Sequence, residues 1–332
     1  MKKILSILLV VLMLFSLVSL AGCGNSALKF GVGTYAYSSA EANSVDGEDG
    51  KAKTVINVAA VLLDANGKIV DCAIDATEYS LGFTAKGEAV EVGEITTKYE
   101  KGDAYGMKAY GGAKKEWFEQ IDALVEVAKG KTLEEVKALV ATDYKGNDEV
   151  INAGCTIYIS DFVKAIEKAI ANAKESNAKS GNTLKIGMVS TAAEGKSATT
   201  EDDGENKVDT ALTVAVLDGD KVVAAYSDSV QGGITFNSKG EDTTKHGEIT
   251  TKRALGDNYG MAKYGQDLNG DGVVKEWYAQ AEAFDAALVG KDAAGVAKLV
   301  TNGYGDEALQ TAGCTIAISD MVKAAVKAVE VK

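Results

Sequence analysis

Apolar positions in this chain follow two periods. TVINVAAVLLD (54–64) and KIVDCAIDA (68–76) are apolar, β-branched runs around Asn66-Gly67. Asn-Gly between such runs predicts a hairpin, because both central turn positions want positive φ. From residue 117 the period becomes helical: Trp117, Phe118, Ile121, Leu124, Val125 and Ala128 share one stripe. Thr132-Leu133-Glu134-Glu135 has the form of a capping box, with Leu133, Val136, Leu139 and Val140 inward. Ser160 is placed to cap a last helix that buries Val163, Ile166 and Ile170. Strands followed by helices predict an α+β fold, an antiparallel sheet packed against helices.

The whole pattern then recurs. LKFGVGTY (28–35) pairs with LKIGMVST (184–191), and VLLDANGKIV (61–70) with VAVLDGDKVV (214–223). GEITTKYEKGDAYGMKAYG (93–111) pairs with GEITTKRALGDNYGMAKYG (247–265), and KKEWFEQ (114–120) with VKEWYAQ (274–280). NAGCTIYISDF and TAGCTIAISDM close the two copies. Two tandem domains are therefore expected, 28–173 and 183–332, each folding on its own side of the polar joint KESNAKSGN (174–182).

The first residues change the picture of where this body resides. MKKILSILLVVLMLFSLVSLAGC carries two lysines, a mostly apolar run and a small-residue site, the form of a cleavable secretory signal over 1–22. Leu20-Ala21-Gly22-Cys23 looks like a bacterial lipobox, which implies acylation of Cys23 and a lipid anchor on the extracytoplasmic face of the cell membrane. The formal net charge is −13. So acidic a surface argues against nucleic acid as a partner and leaves the acyl group as the tie to the membrane. Three cysteines remain, Cys72, Cys155 and Cys314. A Cys72–Cys155 bridge is one reading; three small buried hydrophobes is the favoured one, since Ala225 stands where the second copy would need a partner. Proline is absent, so turns fall to Gly, Asn and Asp.

Several chemistries are excluded. His246 is the lone histidine, so neither a histidine zinc cluster nor a duplicated Ser-His-Asp site exists. No Walker loop or dinucleotide fingerprint occurs. The second copy alone inserts DLNGDG, placing Asp267, Asn269 and Asp271 at alternate positions before Gly272, as in the opening of a calcium loop. The closing carboxylate is missing, since Tyr278 holds that place, and a plain polar turn reads equally well. Glu116, Trp117 and Gln120, with Glu276, Trp277 and Gln280, read as a packing helix whose polar members satisfy backbone groups of the GEITTK loop. Tyr105-Gly106-Met107 and Tyr259-Gly260-Met261 would make a flat apolar wall for a planar ligand, with Lys98 and Lys252 ready for an anion. The plainer alternative is two hydrophobes tucked beneath a loop.

Taken together, GTYAYSS, the VLLDANGKIVD hairpin, the KEWFEQ helix and GCTI before the last helix resemble the FMN-binding domain family. The resemblance covers most of both copies. It implies flavin-carrying electron-transfer proteins of the cell envelope, with a redox partner there. By position, Thr156 and Thr315 would meet the FMN phosphate, and Gly154 and Gly313 would let the backbone approach closely. The family's acidic residue six positions before the threonine is replaced by Val150 and Leu309, which implies reversible rather than covalent FMN. An electron carrier needs no acid, base or nucleophile of its own, so a carrier is expected rather than an enzyme. A reading from another class is a non-catalytic envelope module that kept the fold and lost the flavin.

Overall fold

The computed structural model describes residues 27–45, 47–265 and 274–330. Cys23 and the preceding signal, together with Asp267, Asn269 and Asp271, lie outside the described residues. In the first copy, β1 (Lys29–Ala42), β2 (Gly50–Leu63) and β3 (Ile69–Phe83) form an antiparallel meander. Helices α1 (Lys98–Lys101), α2 (Met107–Gly111), α3 (Trp117–Ala128), α4 (Leu133–Lys137), α5 (Asp148–Ala153) and α6 (Ser160–Ala171) follow. A short β4 (Lys174–Glu175) returns to pair with β1.

The second copy repeats this order. Strands β5 (Thr183–Ala192), β6 (Gly204–Asp218) and β7 (Lys221–Phe236) make its meander. After β8 (Gly247–Ile249) come α7 (Lys252–Leu255), α8 (Met261–Tyr264), α9 (Trp277–Leu288) and α10 (Ala293–Ala297). The hairpin β9 (Val300–Thr301) and β10 (Tyr304–Gly305) leads to α11 (Glu307–Thr311) and α12 (Ser319–Val329). The α+β fold expected from the sequence is the fold observed.

The sequence signals act as their physics requires. Gly67 takes φ +76°, and Asp64 Oδ1 accepts the amides of Asn66 and Lys68 to fix the first hairpin. Thr132 and Glu135 close the capping box of α4. Ser160 is the first residue of α6 rather than its cap; Ile159 holds that position without a side-chain bond. Cys72, Cys155 and Cys314 are buried free thiols. Burial pushes the thiols up, to about 11 for Cys155 and about 12 for the other two.

Strand β2 explains how the copies meet. Val58, Ala60 and Leu62 belong to one core, while Ala59, Val61 and Leu63 belong to another, so β2 is covered on both faces. Its outer face packs under Trp117, Ile121, Leu124, Val163 and Ile166 of α3 and α6. Its inner face meets Leu212, Val214 and Val216 of β6. The layers therefore run helix, sheet, sheet, helix, and the middle core belongs to both copies. Phe83 and Phe236 stack across it with ring centroids 5.0 Å apart. This shared core goes beyond the joint read from the sequence, because apolar residues on the inner faces look the same whichever partner covers them.

The structure also corrects one internal alignment. Gly33 faces Ala59 and Gly187 faces Thr213, so Gly33, not Gly31, corresponds to Gly187. Both glycines let the last helix close on the first strand: a Cβ would overlap Ala165 O in one copy and Ala324 O in the other.

Candidate functional site

The two AGCT loops are held by the same side chains. Each loop follows a short helix, α5 or α11, and precedes the last helix by a few residues. Gly154 and Gly313 turn the chain at φ +103° and +100°. In the first copy Gln120 Oε1 accepts the Thr156 amide at 2.9 Å and the Thr156 hydroxyl at 3.0 Å. In the second, Gln280 Oε1 accepts the same two groups of Thr315 at 2.7 and 3.1 Å, and also the Ile316 amide. The glutamine amide nitrogens donate to Lys115 O and Lys275 O. Gln120 and Gln280 are both buried, so these bonds stand in place of water.

The glutamate of the same motif does separate work. Glu116 accepts the amides of Met107 and Lys108 at 2.8 and 2.9 Å, and Glu276 those of Met261 and Ala262 at 2.9 and 3.0 Å. A carboxylate on the first amides of a helix satisfies orphan donors and complements the dipole. The expected targets in the GEITTK loop are thus replaced by the Tyr-Gly-Met helix and the threonine loop. Gln120 Nε2 also lies 3.8 Å from Met107 Sδ, and Gln280 Nε2 3.3 Å from Met261 Sδ. Threonine, methionine and glutamine are therefore brought together in each copy.

Other expected residues sit differently. Tyr105, Met107, Tyr259 and Met261 are partly buried against the outer cores. Lys98 pairs with Glu78 at 2.7 Å and lies 5.4 Å from the Tyr105 ring centre. Lys252 pairs with Asp209 at 3.5 Å and lies 5.6 Å from Tyr259. Both lysines are thus already matched to a carboxylate. Among the leading amides of α6, those of Ile159 and Ser160 bond Tyr144 O, and Ile318 does the same to Gly303 O.

The cation nearest each loop is one that the sequence motifs do not single out. Lys115 Nζ donates to Ala153 O at 3.2 Å, and Lys275 Nζ to Ala312 O at 3.2 Å. A Cβ on Gly154 or Gly313 would overlap that lysine's Nζ, so glycine is what lets the cation cross the loop. A signal for it exists, since a lysine precedes Glu-Trp-x-x-Gln in both copies.

Thr156 is exposed, whereas Thr315 borders a groove of about 600 Å3. Asn302, Tyr304, Asp306 and Gln310 also line that groove. Toward a phosphate-bearing ligand this geometry offers one element, a lysine ammonium on the loop backbone, while that lysine fills the side of Gly154 and Gly313 that lacks a Cβ and the threonine hydroxyl is given to glutamine. Asp306 and Glu307 both line the groove and oppose an anion there, although Asp306 Oδ1 is engaged by the Leu309 amide, and Lys275 and Gly313 stand outside its lining. Among the described residues no cluster of three or more His, Cys, Asp or Glu could hold a metal ion. No helix among them is long and apolar enough to cross a membrane.

No family model and no solved structure matches the chain. Over 95 residues it is 36% identical to a protein named chlorophenol reductase from Desulfitobacterium hafniense. That similarity takes in 25% of the chain and 29% of the other protein.

Proposed function

We propose that this chain is a lipid-anchored extracytoplasmic redox carrier whose two threonine loops each hold the phosphate of an FMN reversibly. The carrying observation is the duplicated clamp, in which Gln120 and Gln280 fix the threonines and Lys115 and Lys275 supply positive charge. The name of the partial relative agrees with a redox role. Bound FMN would supply the electron chemistry. The chain's part is to orient and hold: each glutamine takes both the amide and the hydroxyl hydrogen of its threonine, so the donors offered to the phosphate are the N–H groups of the lysine ammonium that Ala153 O or Ala312 O does not use. Lysine balances the phosphate charge. The anchor at Cys23 keeps the carrier beside a membrane partner. The insertion at Asp267, Asn269 and Asp271 is proposed as a weak calcium loop peculiar to the second copy.

A second reading has its own observation. Lys98 and Lys252 are neutralised by Glu78 and Asp209, and the tyrosine–methionine pairs pack on the cores. That arrangement favours a binding module that has lost the flavin. The visible spectrum of the purified chain separates the two. A carrier shows flavin absorbance, and acid precipitation leaves that flavin in the supernatant. A colourless chain that takes up no added FMN supports the module instead.

A further inference from the structure

The two sheets are tied by arms of identical sequence, Gly-Glu-Ile, and only one arm is docked. In the second copy Gly247, Glu248 and Ile249 form β8 on the free edge of β1, opposite Ser38, Tyr37 and Ala36. Lys168 of α6 pairs with Glu248 at 2.5 Å. The first copy carries the same arm, Gly93-Glu94-Ile95. Ile95 packs against the shared core as Ile249 does. Yet the backbones of Gly93, Glu94, Ile95 and Thr96 make no hydrogen bond among the described residues. A groove of about 720 Å3 lies there, lined by Glu94, Ile95, Ser190, Thr191, Val326 and Lys327, among others.

The correspondence of the strands fixes what should meet. Gly33 matches Gly187, so Ala36, Tyr37 and Ser38 match Ser190, Thr191 and Ala192. The groove thus separates the arm from the edge residues that its twin occupies on the other sheet. A difference in three side chains accounts for the asymmetry. His246 bonds Ser38 Oγ at 3.1 Å and Asp242 Oδ2 at 2.8 Å, pinning the docked arm where it reaches β1. The bridges Phe236–Asp242 and Phe83–Ala89 make Ala89 the match of Asp242. The first copy therefore has Ala89, Val92 and Ala192 where the pin has Asp242, His246 and Ser38. Unpaired backbone beside a free strand edge is a template for pairing.

We infer that the segment 92–96 is a strap that closes onto the free edge of β5, with Ile95 opposite Ser190, Glu94 opposite Thr191 and Gly93 opposite Ala192. Closing it completes a reciprocal exchange between the copies. The open state persists because Lys327, the match of Lys168, is taken by Glu100 at 2.6 Å instead of by the strap's own Glu94. The strap runs directly into Thr97, which caps α1, and Lys98, which lies near Tyr105. Its position is thereby linked to the first copy's loop cluster.

The test uses two variants of the full chain. Ile95→Cys with Ser190→Cys should form a disulfide under mild oxidation, as should the control Ala36→Cys with Ile249→Cys across the docked arm. Separately, Ala89→Asp, Val92→His and Ala192→Ser together rebuild the pin. That variant should slow amide exchange across the segment 93–95 by about tenfold or more relative to the natural chain. If the control pair locks while the Ile95→Cys, Ser190→Cys pair keeps both thiols free, the strap is overturned. Unchanged exchange in the rebuilt variant would overturn it as well.

Discussion

The two copies share their threonine clamps and differ in what lies beneath the neighbouring helix. In the second copy Arg253 donates two hydrogen bonds to Asp285 Oδ2, both 3.0 Å, and stacks over Tyr226 at 4.3 Å. The ion pair is nearly buried, with side-chain exposures of 12% and 11%. The first copy has Tyr99, Val125 and Ala73 at these places, and Tyr99 reaches Asp122 at the surface instead. Both solutions sit on the same buried aspartate: Asp75 accepts the Tyr99 amide and Asp228 the Arg253 amide. So the backbone anchor is common and the side chain above it is free to change. The clamp shows the opposite behaviour, keeping glutamine, glutamate, lysine and threonine in both copies.

The largest expected effect falls on what the copies hold in common. Phe83→Ala or Phe236→Ala removes half of a fully buried stack, and each should cost about 3–5 kcal/mol. Urea unfolding should show both variants losing stability in one cooperative transition. A loss confined to the mutated copy, with two separate transitions, would break the shared-core account.

The ion pair sharpens the contrast. Asp285→Ala strands a buried guanidinium and should cost about 3–5 kcal/mol, or somewhat less if Arg253 swings out to water. Installing the first copy's residues together, Arg253→Tyr with Asp285→Val, should be close to neutral, within about 1.5 kcal/mol. A double replacement as harmful as the single one would show that the pair is integral to the second copy.

A smaller effect is expected from pH. Burial raises the Asp75 carboxyl to about 7 and Asp285 to about 6. A carboxyl whose folded pKa lies above its unfolded value stabilises the fold in acid, and that contribution is lost as pH rises through the folded value. Ion pairing lowers Glu78 despite its burial, and Lys221 lowers Asp292, but a lowered carboxylate loses its contribution only in acid below the ordinary carboxylate range and adds no slope above about pH 5. Melting temperature should therefore fall modestly from about pH 5 to pH 8. Asp75→Asn should flatten that slope, and an unaltered slope would remove Asp75 from the explanation.

Much of this is legible in the sequence, because local signals carry their own geometry. The hairpin at Asn66-Gly67, the stripe on α3 and the duplication all follow from spacing. Recurrence, together with the resemblance at GCTI, marks the threonine loops. Their holders are legible only in part. Glu-Trp-x-x-Gln reads as satisfying backbone groups, but sequence spacing cannot say that Gln120 reaches a residue 36 positions on. Lys98 looks a better anion partner than Lys115 until its ion pair with Glu78, a tertiary fact, is known. The face-to-face packing is illegible for a similar reason: apolar inner faces do not name what covers them.

The clamp on the FMN phosphate is the central claim, and titration of the chain with FMN and with riboflavin tests it most directly. Riboflavin carries the same ring without the phosphate. Two FMN should bind per chain, with riboflavin at least about tenfold weaker, and Lys115→Met or Lys275→Met should each remove one site. Equal binding of FMN and riboflavin, or FMN binding untouched by both lysine variants, would contradict the account.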